Sequence, residues 1–359
     1  MTERRKLRLG PDAPFRRLVG VGGIGGGIFL ALEGHRTLGR NESRPARLLD
    51  VRDYCKLHIV AHHVAVLLGA EPSGTPFRVV PVGNVGDDET GRRLVAEMAE
   101  AGMDTSSVQT VTGCPTLFSV CFQYPDGSGG NITTSDSAAA TLGEADVARV
   151  APLLDARTIA LAAPEVGLGP RRRLLELATE RGGFRVASLT SADVEDARAS
   201  GLLGLVDLLA LNEEEAAILT GREMDPEAPQ PFLDAVATSL EAGRPRMRIV
   251  VTAGARGAFA FEEGRWVGRR PPTVEAVSTA GAGDALIGGV LAGLASGVPL
   301  FDPGAPEGSL SGALDLGVAL AALSVTSPHT IHPGADLEAV LTFAEGNGLR
   351  LRPPLADVV

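Results

Sequence analysis

The sequence predicts an α/β fold: a mostly parallel sheet flanked by helices, with a small β lid. Strand-like and helix-like patterns alternate through most of the 359 residues, which favours parallel crossovers. Residues 116–134 break that rhythm with apolar–polar alternation and a Pro125-Asp126-Gly127 turn, the pattern of a β-hairpin inside an α/β chain. No low-complexity linker or internal repeat divides the chain. We therefore expect one domain over residues 1–359, with a lid contributed by about 28–55 and 112–136.

Taken in order, residues 17–21 read as a first strand, 58–68 have helical spacing, 77–82 form a strand and 90–101 an amphipathic helix. Beyond the hairpin come a strand at 158–162, a helix at 170–181 and strands at 184–188 and 205–211. A helix at 213–220 follows, then a strand at 248–252. Residues 258–262 and 265–267 make a second hairpin around Glu263-Gly264, and helices at 285–297 and 310–325 close the domain. Adjacent His62 and His63 point in different directions on a helix, so they read as helix-face residues rather than a shared metal site.

A net charge of −11 argues against a nucleic-acid or anionic-membrane surface. Three cysteines (Cys55, Cys114, Cys121) have no metal or redox spacing and read as free thiols in a reducing compartment. Arg4-Arg5-Lys6 followed by the apolar run 18–32 imitates a targeting signal, but six glycines make that run a buried strand and turn. No segment is long and apolar enough to span a bilayer. A cytoplasmic protein is expected.

The most informative segment is 277–289, Val-Ser-Thr-Ala-Gly-Ala-Gly-Asp-Ala-Leu-Ile-Gly-Gly. A glycine turn running into a helix presents N–H groups without intrahelical acceptors at the positive end of the macrodipole, an anion cradle. Asp284 in the same turn can take a proton from a neighbouring hydroxyl. Cradle plus base is the minimum equipment for moving a phosphoryl group onto an alcohol. The competing structural reading makes Asp284 helix-cap chemistry and Gly281–Gly283 a tight turn.

This segment resembles the second signature of the ribokinase-like (phosphofructokinase-B) sugar kinases, Asp-Thr-x-Gly-Ala-Gly-Asp. Further matches follow in order: Gly83 to Gly91, then Gly102-Met103-Asp104-Thr105, Pro115-Thr116 with its hairpin, Asn212-Glu213-Glu214-Glu215, and Thr252-Ala253-Gly254-Ala255-Arg256-Gly257. The resemblance implies a ribokinase-like three-layer α/β/α sandwich and an ATP-dependent kinase acting on a hydroxyl of a small sugar, polyol or nucleoside. It makes Asp284 the catalytic base and Gly281, Ala282 and Gly283 the anion hole. Thr252, Gly254, Gly257 and Thr279 fall on the nucleotide side. Asn212 and Glu215 would organise Mg²⁺, largely through water. For these residues the structural alternatives are a β-turn and a capped helix with a solvated acidic first turn.

The acceptor half departs from the family. Its substrate-binding Asp after the first strand aligns with Gly27, and its Gly-Gly-x-x-x-Asn helix start aligns with residues 56–60, which lack those residues. Ser278 and Ala280 replace a pair that contributes to monovalent-cation binding in relatives. In place of the missing groups stand polar residues at 33–36, 40–44 and 50–53, including Arg40, Asn41, Asp50 and Asp53, which we expect to bind an unusual acceptor, an anionic one being suggested by the arginines, against a solvated loop or dimer contact as the structural alternative. A non-catalytic nucleotide- or metabolite-binding protein of the same fold is the alternative function. Gly20-x-Gly22-x-x-Gly25 formally fits a dinucleotide fingerprint, but the polar, Gly- and Pro-broken residues 33–47 lack the helix and second strand that a dehydrogenase needs. Expected partners are ATP and a small hydroxyl substrate, with no nucleic acid or membrane; a homodimer paired through the lid is kept open by analogy.

Overall fold

A computed structural model describes residues 5–126, 128–241 and 246–359, so Arg4 and Gly127 of the expectations above lie outside the described residues. The chain begins β1 (Arg17–Val21), β2 (Gly25–Leu32), β3 (Ala46–Tyr54), α1 (Lys56–Leu68), β4 (Arg78–Gly86), α2 (Glu89–Glu100), β5 (Val108–Val111), β6 (Leu117–Gln123) and β7 (Gly129–Thr133). It continues with α3 (Glu144–Ala148), β8 (Thr158–Ala162), α4 (Leu168–Glu180), β9 (Phe184–Ser188), α5 (Val194–Ala199), β10 (Leu208–Asn212), α6 (Glu213–Thr220) and α7 (Gln230–Glu241). Last come β11 (Arg248–Thr252), β12 (Ala258–Glu262), β13 (Arg265–Arg269), α8 (Ala282–Ala295), β14 (Ser309–Leu310), α9 (Ala313–Ser324), α10 (Leu337–Gly346) and β15 (Arg350–Leu351).

The main sheet has nine strands in the order β13-β12-β11-β10-β9-β8-β1-β4-β5. It is parallel from β11 to β5, and only the β11–β12–β13 meander is antiparallel. Its central strands are buried along nearly their whole length, as strands covered by helices on both faces must be. A separate four-stranded sheet, β3-β2-β6-β7, is built from residues 25–54 and 117–133. The expected strand at 205–211 begins later, because residues Leu202–Leu205 wind into a 3₁₀ turn. The helix expected at 310–325 starts at Ala313, its first residues pairing instead as β14 with β15.

Several glycines that looked like ligand signals do structural work. At Gly20 and Gly22 a Cβ would lie 2.5 Å and 2.9 Å from Leu57, so they let α1 press onto β1. Gly25 opens strand β2 rather than a helix, and the dinucleotide-fold alternative is excluded by that topology. Around Asp88 the second sheet is tied to the first. Its carboxylate caps α2 through Gly91 N–H (2.8 Å) and accepts from both Thr116 N–H (2.7 Å) and Thr116 Oγ1 (2.7 Å). Gly86 and Gly91 are bare because this crossing brings backbone against backbone.

Helix α8 is apolar all round and is clamped between α1 and α9. A Cβ on Gly289 would sit 2.8 Å from Gly317 Cα, one on Gly293 2.8 Å from Ala313 Cβ, and one on Gly288 2.7 Å from His63 Cβ. Small residues on facing helices set this close approach, and it fixes the first turn of α8 against the sheet edge. His58 and His63 are fully enclosed on α1 rather than displayed on an open helix face, and both His63 nitrogens lack hydrogen-bond partners among the described residues. Among the described residues no group of three or more His, Cys, Asp or Glu is disposed to hold a metal.

Candidate active site

A cavity of about 500 Å³ opens where β10 and β11 end and α8 begins. This is the carboxyl end of the parallel strands, where open α/β sheets place ligands. Of the expected site residues it gathers Asn212, Glu215, Thr252, Gly254, Gly257, Thr279, Ala282, Gly283 and Asp284. The far wall is apolar, with Pro271, Pro272, Val274, Ala321 and Val325. That combination, an apolar slot leading to a polar end, is the usual construction of a small-molecule site.

Gly281 is the N-cap of α8 at φ 78°, so the helix begins at Ala282, three residues earlier than its apolar pattern indicated. Ala282 N–H turns back to Thr279 O at 3.3 Å, which engages one of the three expected donors. Gly283 and Asp284 follow in the first turn, where N–H groups point out of the helix end. Asp284 is the third helical residue and makes no capping bond, so the cap alternative for this carboxylate is not what the fold uses. Burial raises its carboxyl above the usual range, and only the Lys56 ammonium opposes that rise. A Cβ on Gly281 would press into Thr330 O, and the left-handed backbone adds strain. Gly281→Ala is expected to displace this turn, lower turnover about 100-fold and lower the unfolding midpoint as well; steady-state kinetics beside thermal unfolding checks it.

Asn212 and Glu215 form a complete capping box at the start of α6. Asn212 Oδ1 accepts from Glu215 N–H (2.8 Å), and Glu215 Oε2 accepts from Asn212 N–H (2.9 Å). Asn212 Nδ2 also donates to Glu215 Oε1 at 3.0 Å. The cap alternative is thus present, but the turn is not solvated: Glu215 is 3% exposed. With both oxygens engaged, Glu215 does not fit direct Mg²⁺ ligation. A water-mediated Mg²⁺ whose inner ligands are nucleotide phosphates does fit this pair.

Lys56 also lines the cavity, and two further carboxyls stand outside its lining: Glu165, which sequence patterns did not single out, and Asp53, the end of the polar stretch at 50–53. Lys56, at the start of α1, donates to Leu189 O (2.7 Å) and lies 3.5 Å from Glu215 Oε1. Burial works against its charge, yet Asp284, Glu215 and Glu165 together hold its ammonium above the ordinary value. Glu165, at φ 69° beyond β8, accepts from Lys56 N–H at 3.2 Å, and burial beside Asp284 raises its carboxyl to about 7. Asp53 stands on β3, where burial raises its carboxyl to about 6. A lysine opening an apolar helix and a Pro164-Glu165 pair after a buried strand were the available signals.

Arg40, Asn41 and Asp50 are not brought to the cavity. All three are exposed, Arg40 and Asn41 at the tip of the β2–β3 connection and Asp50 on the β3 edge. The loop is organised by Glu42, which accepts from Arg36 (2.9 Å), Arg44 (2.6 Å) and Gly39 N–H (2.9 Å). The polar residues of this loop bond to one another, and Arg40, Asn41 and Asp50 stand apart from the cavity.

Comparison with known proteins agrees with this geometry. Residues 60–336 match the pfkB family carbohydrate kinase model. The chain belongs to that family, and it is a phosphotransferase acting on a hydroxyl group. It is 27% identical to the ribokinase of Haemophilus influenzae over 249 residues, covering 69% of this chain and 76% of that one. It is 30% identical to the 1-phosphofructokinase of Vibrio cholerae over 148 residues, which span 41% of this chain and 44% of that enzyme. In structure it is similar to the Arabidopsis thaliana ribokinase solved with ribose and ATP (TM-score 0.68, 19% identity, 92% and 99% coverage). It also resembles the Burkholderia thailandensis nucleoside kinase solved with inosine (TM-score 0.69, 15% identity, 93% and 99% coverage). The ribokinase-like fold is therefore shared over 92–93% of the chain.

The buried groups around the site give a signed pH dependence. Burial pushes His58 down to about 3, with His62 and Arg93 adding to it, His62 to about 4, and His63 well below the usual 6.5. The fold keeps them neutral while the unfolded chain takes up protons, so stability is lost as pH falls below about 6.5, by ~1.4 kcal/mol per unit for each histidine. Glu165 and Asp53 act with the opposite sign, because their folded carboxyls are raised and bind protons first. Asp284, also raised by burial, and Glu215 act in the same direction as Glu165 and Asp53. Urea unfolding at pH 7 and pH 5 isolates the histidine share: His63→Leu is expected to lose less stability than wild type on acidification.

Proposed function

We propose that the chain transfers the γ-phosphoryl group of ATP to a hydroxyl of a small sugar, polyol or nucleoside. The observation that carries this is Asp284: a half-buried carboxylate in the first turn of α8, uncommitted to capping, that lines the cavity together with Lys56. A protein that merely bound a metabolite would have no use for a base beside an anion cradle.

The apolar slot accepts the adenine and ribose, bordered by Thr252, Gly254, Gly257 and Thr279. Gly257 is bare because a side chain there would run into Arg269 O. The phosphates extend toward α8, where the first-turn N–H groups and the Lys56 ammonium receive the charge that develops on the transferring group. Mg²⁺ bound with the nucleotide supplies charge neutralisation, and Asn212 with Glu215 are the residues that would hold its water shell. Asp284 orients the acceptor oxygen and takes its proton late in the transfer. Solved structures of similar fold that contain ATP, ribose or inosine support this choice of ligands.

Among the described residues no helix is long and apolar enough to cross a membrane, which supports a cytoplasmic enzyme. Leu48 and Ile132, 64% and 66% exposed, share one face of the second sheet by register, with Leu30 and Val120 as their strand neighbours. A second copy covering that face gives a homodimer, which sedimentation of wild type against Ile132→Glu tests. Release of ADP from MgATP across a panel of sugars, polyols and nucleosides tests the activity. Turnover with one class supports the proposal, and silence with intact ATP binding would leave a binding protein.

A further inference from the structure

One hydroxyl in the cavity wall has no hydrogen-bond partner among the described residues. It belongs to Ser188, which ends β9, is 6% exposed and lines the cavity. A buried hydroxyl left unpaired costs free energy, so an orphan in the wall of a ligand cavity points to a ligand. The polar groups around it are already engaged. Asn212 and Glu215 bond to each other, and the Lys56 ammonium donates to Leu189 O.

The strand end that carries this hydroxyl is held by two cations from two helices. Arg171 of α4, fully buried, donates from Nη2 to Ser188 O (2.8 Å) and from Nη1 to Asp193 Oδ2 (2.9 Å). Asp193 Oδ2 also accepts from Thr190 N–H (3.1 Å), and Lys56 Nζ takes the next carbonyl, Leu189 O, at 2.7 Å. Successive carbonyls are pinned, so the Ser188 side chain is held in place by the fold itself. Register sets where it stands. Ser188 pairs with Ala210 of β10, and two residues on, on the same face, Asn212 pairs with Thr252 of β11. The strands that feed the cavity thus present Thr252, then Ala210 and Asn212, then Ser188. Pro271, Pro272 and Val274 of the apolar wall follow β13, the strand at the opposite edge of that order. Ser188 therefore lies at the end of the cavity away from that wall, two strands or about 10 Å beyond Thr252.

We infer that Ser188 Oγ–H donates to the terminal phosphate of the nucleotide, so that this hydroxyl tells a nucleoside triphosphate from a diphosphate. The inference rests on the kinase reading above and adds a phosphate-binding residue to that site. With the base against the apolar wall, the phosphate chain runs along the strand ends toward β9, and its last phosphate reaches furthest. A hydroxyl donating to an anionic oxygen makes a charge-assisted bond, and that bond satisfies the orphan. Serine also brings no negative charge of its own to repel the phosphate, unlike the carboxyls of Glu215 and Asp284 that share the cavity.

The test reads binding by calorimetry, with MgADP and with the magnesium complex of the non-hydrolysable triphosphate AMP-PNP, for wild type and Ser188→Ala. Ser188→Ala is expected to weaken AMP-PNP about 10-fold and to change MgADP by less than about twofold. Titrating AMP-PNP in EDTA is expected to show a loss of similar size, because the bond is to phosphate and not to a metal-bound water. Thermal unfolding of the unliganded variant is expected at or above the wild-type midpoint, since alanine removes an unpaired buried hydroxyl. Equal losses for both nucleotides, no loss for either, or a loss that vanishes in EDTA would each overturn the inference. ADP release with acceptors is measured separately. A selective triphosphate loss without turnover of any acceptor would keep the inference and remove the kinase reading instead. Turnover by the wild type without that selective loss would do the reverse.

Discussion

Replacing Asp284 with Asn is expected to lower kcat by about 10²–10⁴ while leaving acceptor and MgATP affinities within a few-fold. The amide preserves the shape of the side chain and its place in the first turn of α8, and it removes only the ability to take the acceptor's proton. Because Asp284 makes no capping bond, the substitution does not remove a helix cap. It also takes a buried negative charge from a pocket meant for phosphates, so MgATP binding is expected to hold or tighten. The burial-raised carboxyl predicts the pH profile of the wild type: activity declines as pH falls through the Asp284 pKa, the limb on which the base becomes protonated. Steady-state kinetics of both proteins, with ATP binding measured separately, checks each part.

The second large effect is expected at Lys56. Among the described residues its ammonium is the one positive charge that lowers the Asp284 carboxyl, and it opposes the burial of Glu165 and Glu215 as well. Lys56→Met keeps the stem and removes the charge, leaving three buried carboxyls uncompensated. Breaking a buried ion pair from one side costs about 3–5 kcal/mol, and the carboxyls respond by holding protons to higher pH. Lys56→Met is therefore expected to unfold at lower urea than wild type, most clearly at high pH. Its activity is expected to be depressed at neutral pH, with the acid limb of the kcat profile moved upward, because Asp284 ionises later. A Lys56 that only anchored α1 would lower stability without moving that limb.

Much of the cavity lining was legible from order and spacing. Backbone chemistry leaves strong marks in sequence: a glycine at positive φ such as Gly281, or one under a carbonyl such as Gly257, admits no substitute, so the motif survives in one dimension. The apolar periodicity of α8 and the strand ends at Asn212 and Thr252 followed for the same reason. The acceptor side was not legible. Arg40 and Asn41 looked like ligands because polar residues clustered there, but Glu42 gathers the loop's polar groups into a self-contained turn. Asp53 lay in that same polar stretch, but its setting depends on register. Only the pairing of β3 with β2 places its carboxylate over Gly27, and nothing local to the tripeptide Arg52-Asp53-Tyr54 announces that. Glu165 and Lys56 were likewise isolated in sequence and meet only through α1 packing under β8's end.

The central claim, that Asp284 beside the α8 cradle moves a phosphoryl group from ATP to an alcohol, is tested most directly by one assay. ADP release from MgATP is followed across sugars, polyols and nucleosides with wild type and Asp284→Asn in parallel. The account predicts acceptor-dependent ADP release by the wild type that falls at least 100-fold in the variant, with MgATP still bound. Equal release by both proteins, or none from either with any acceptor while MgATP binds normally, would contradict it.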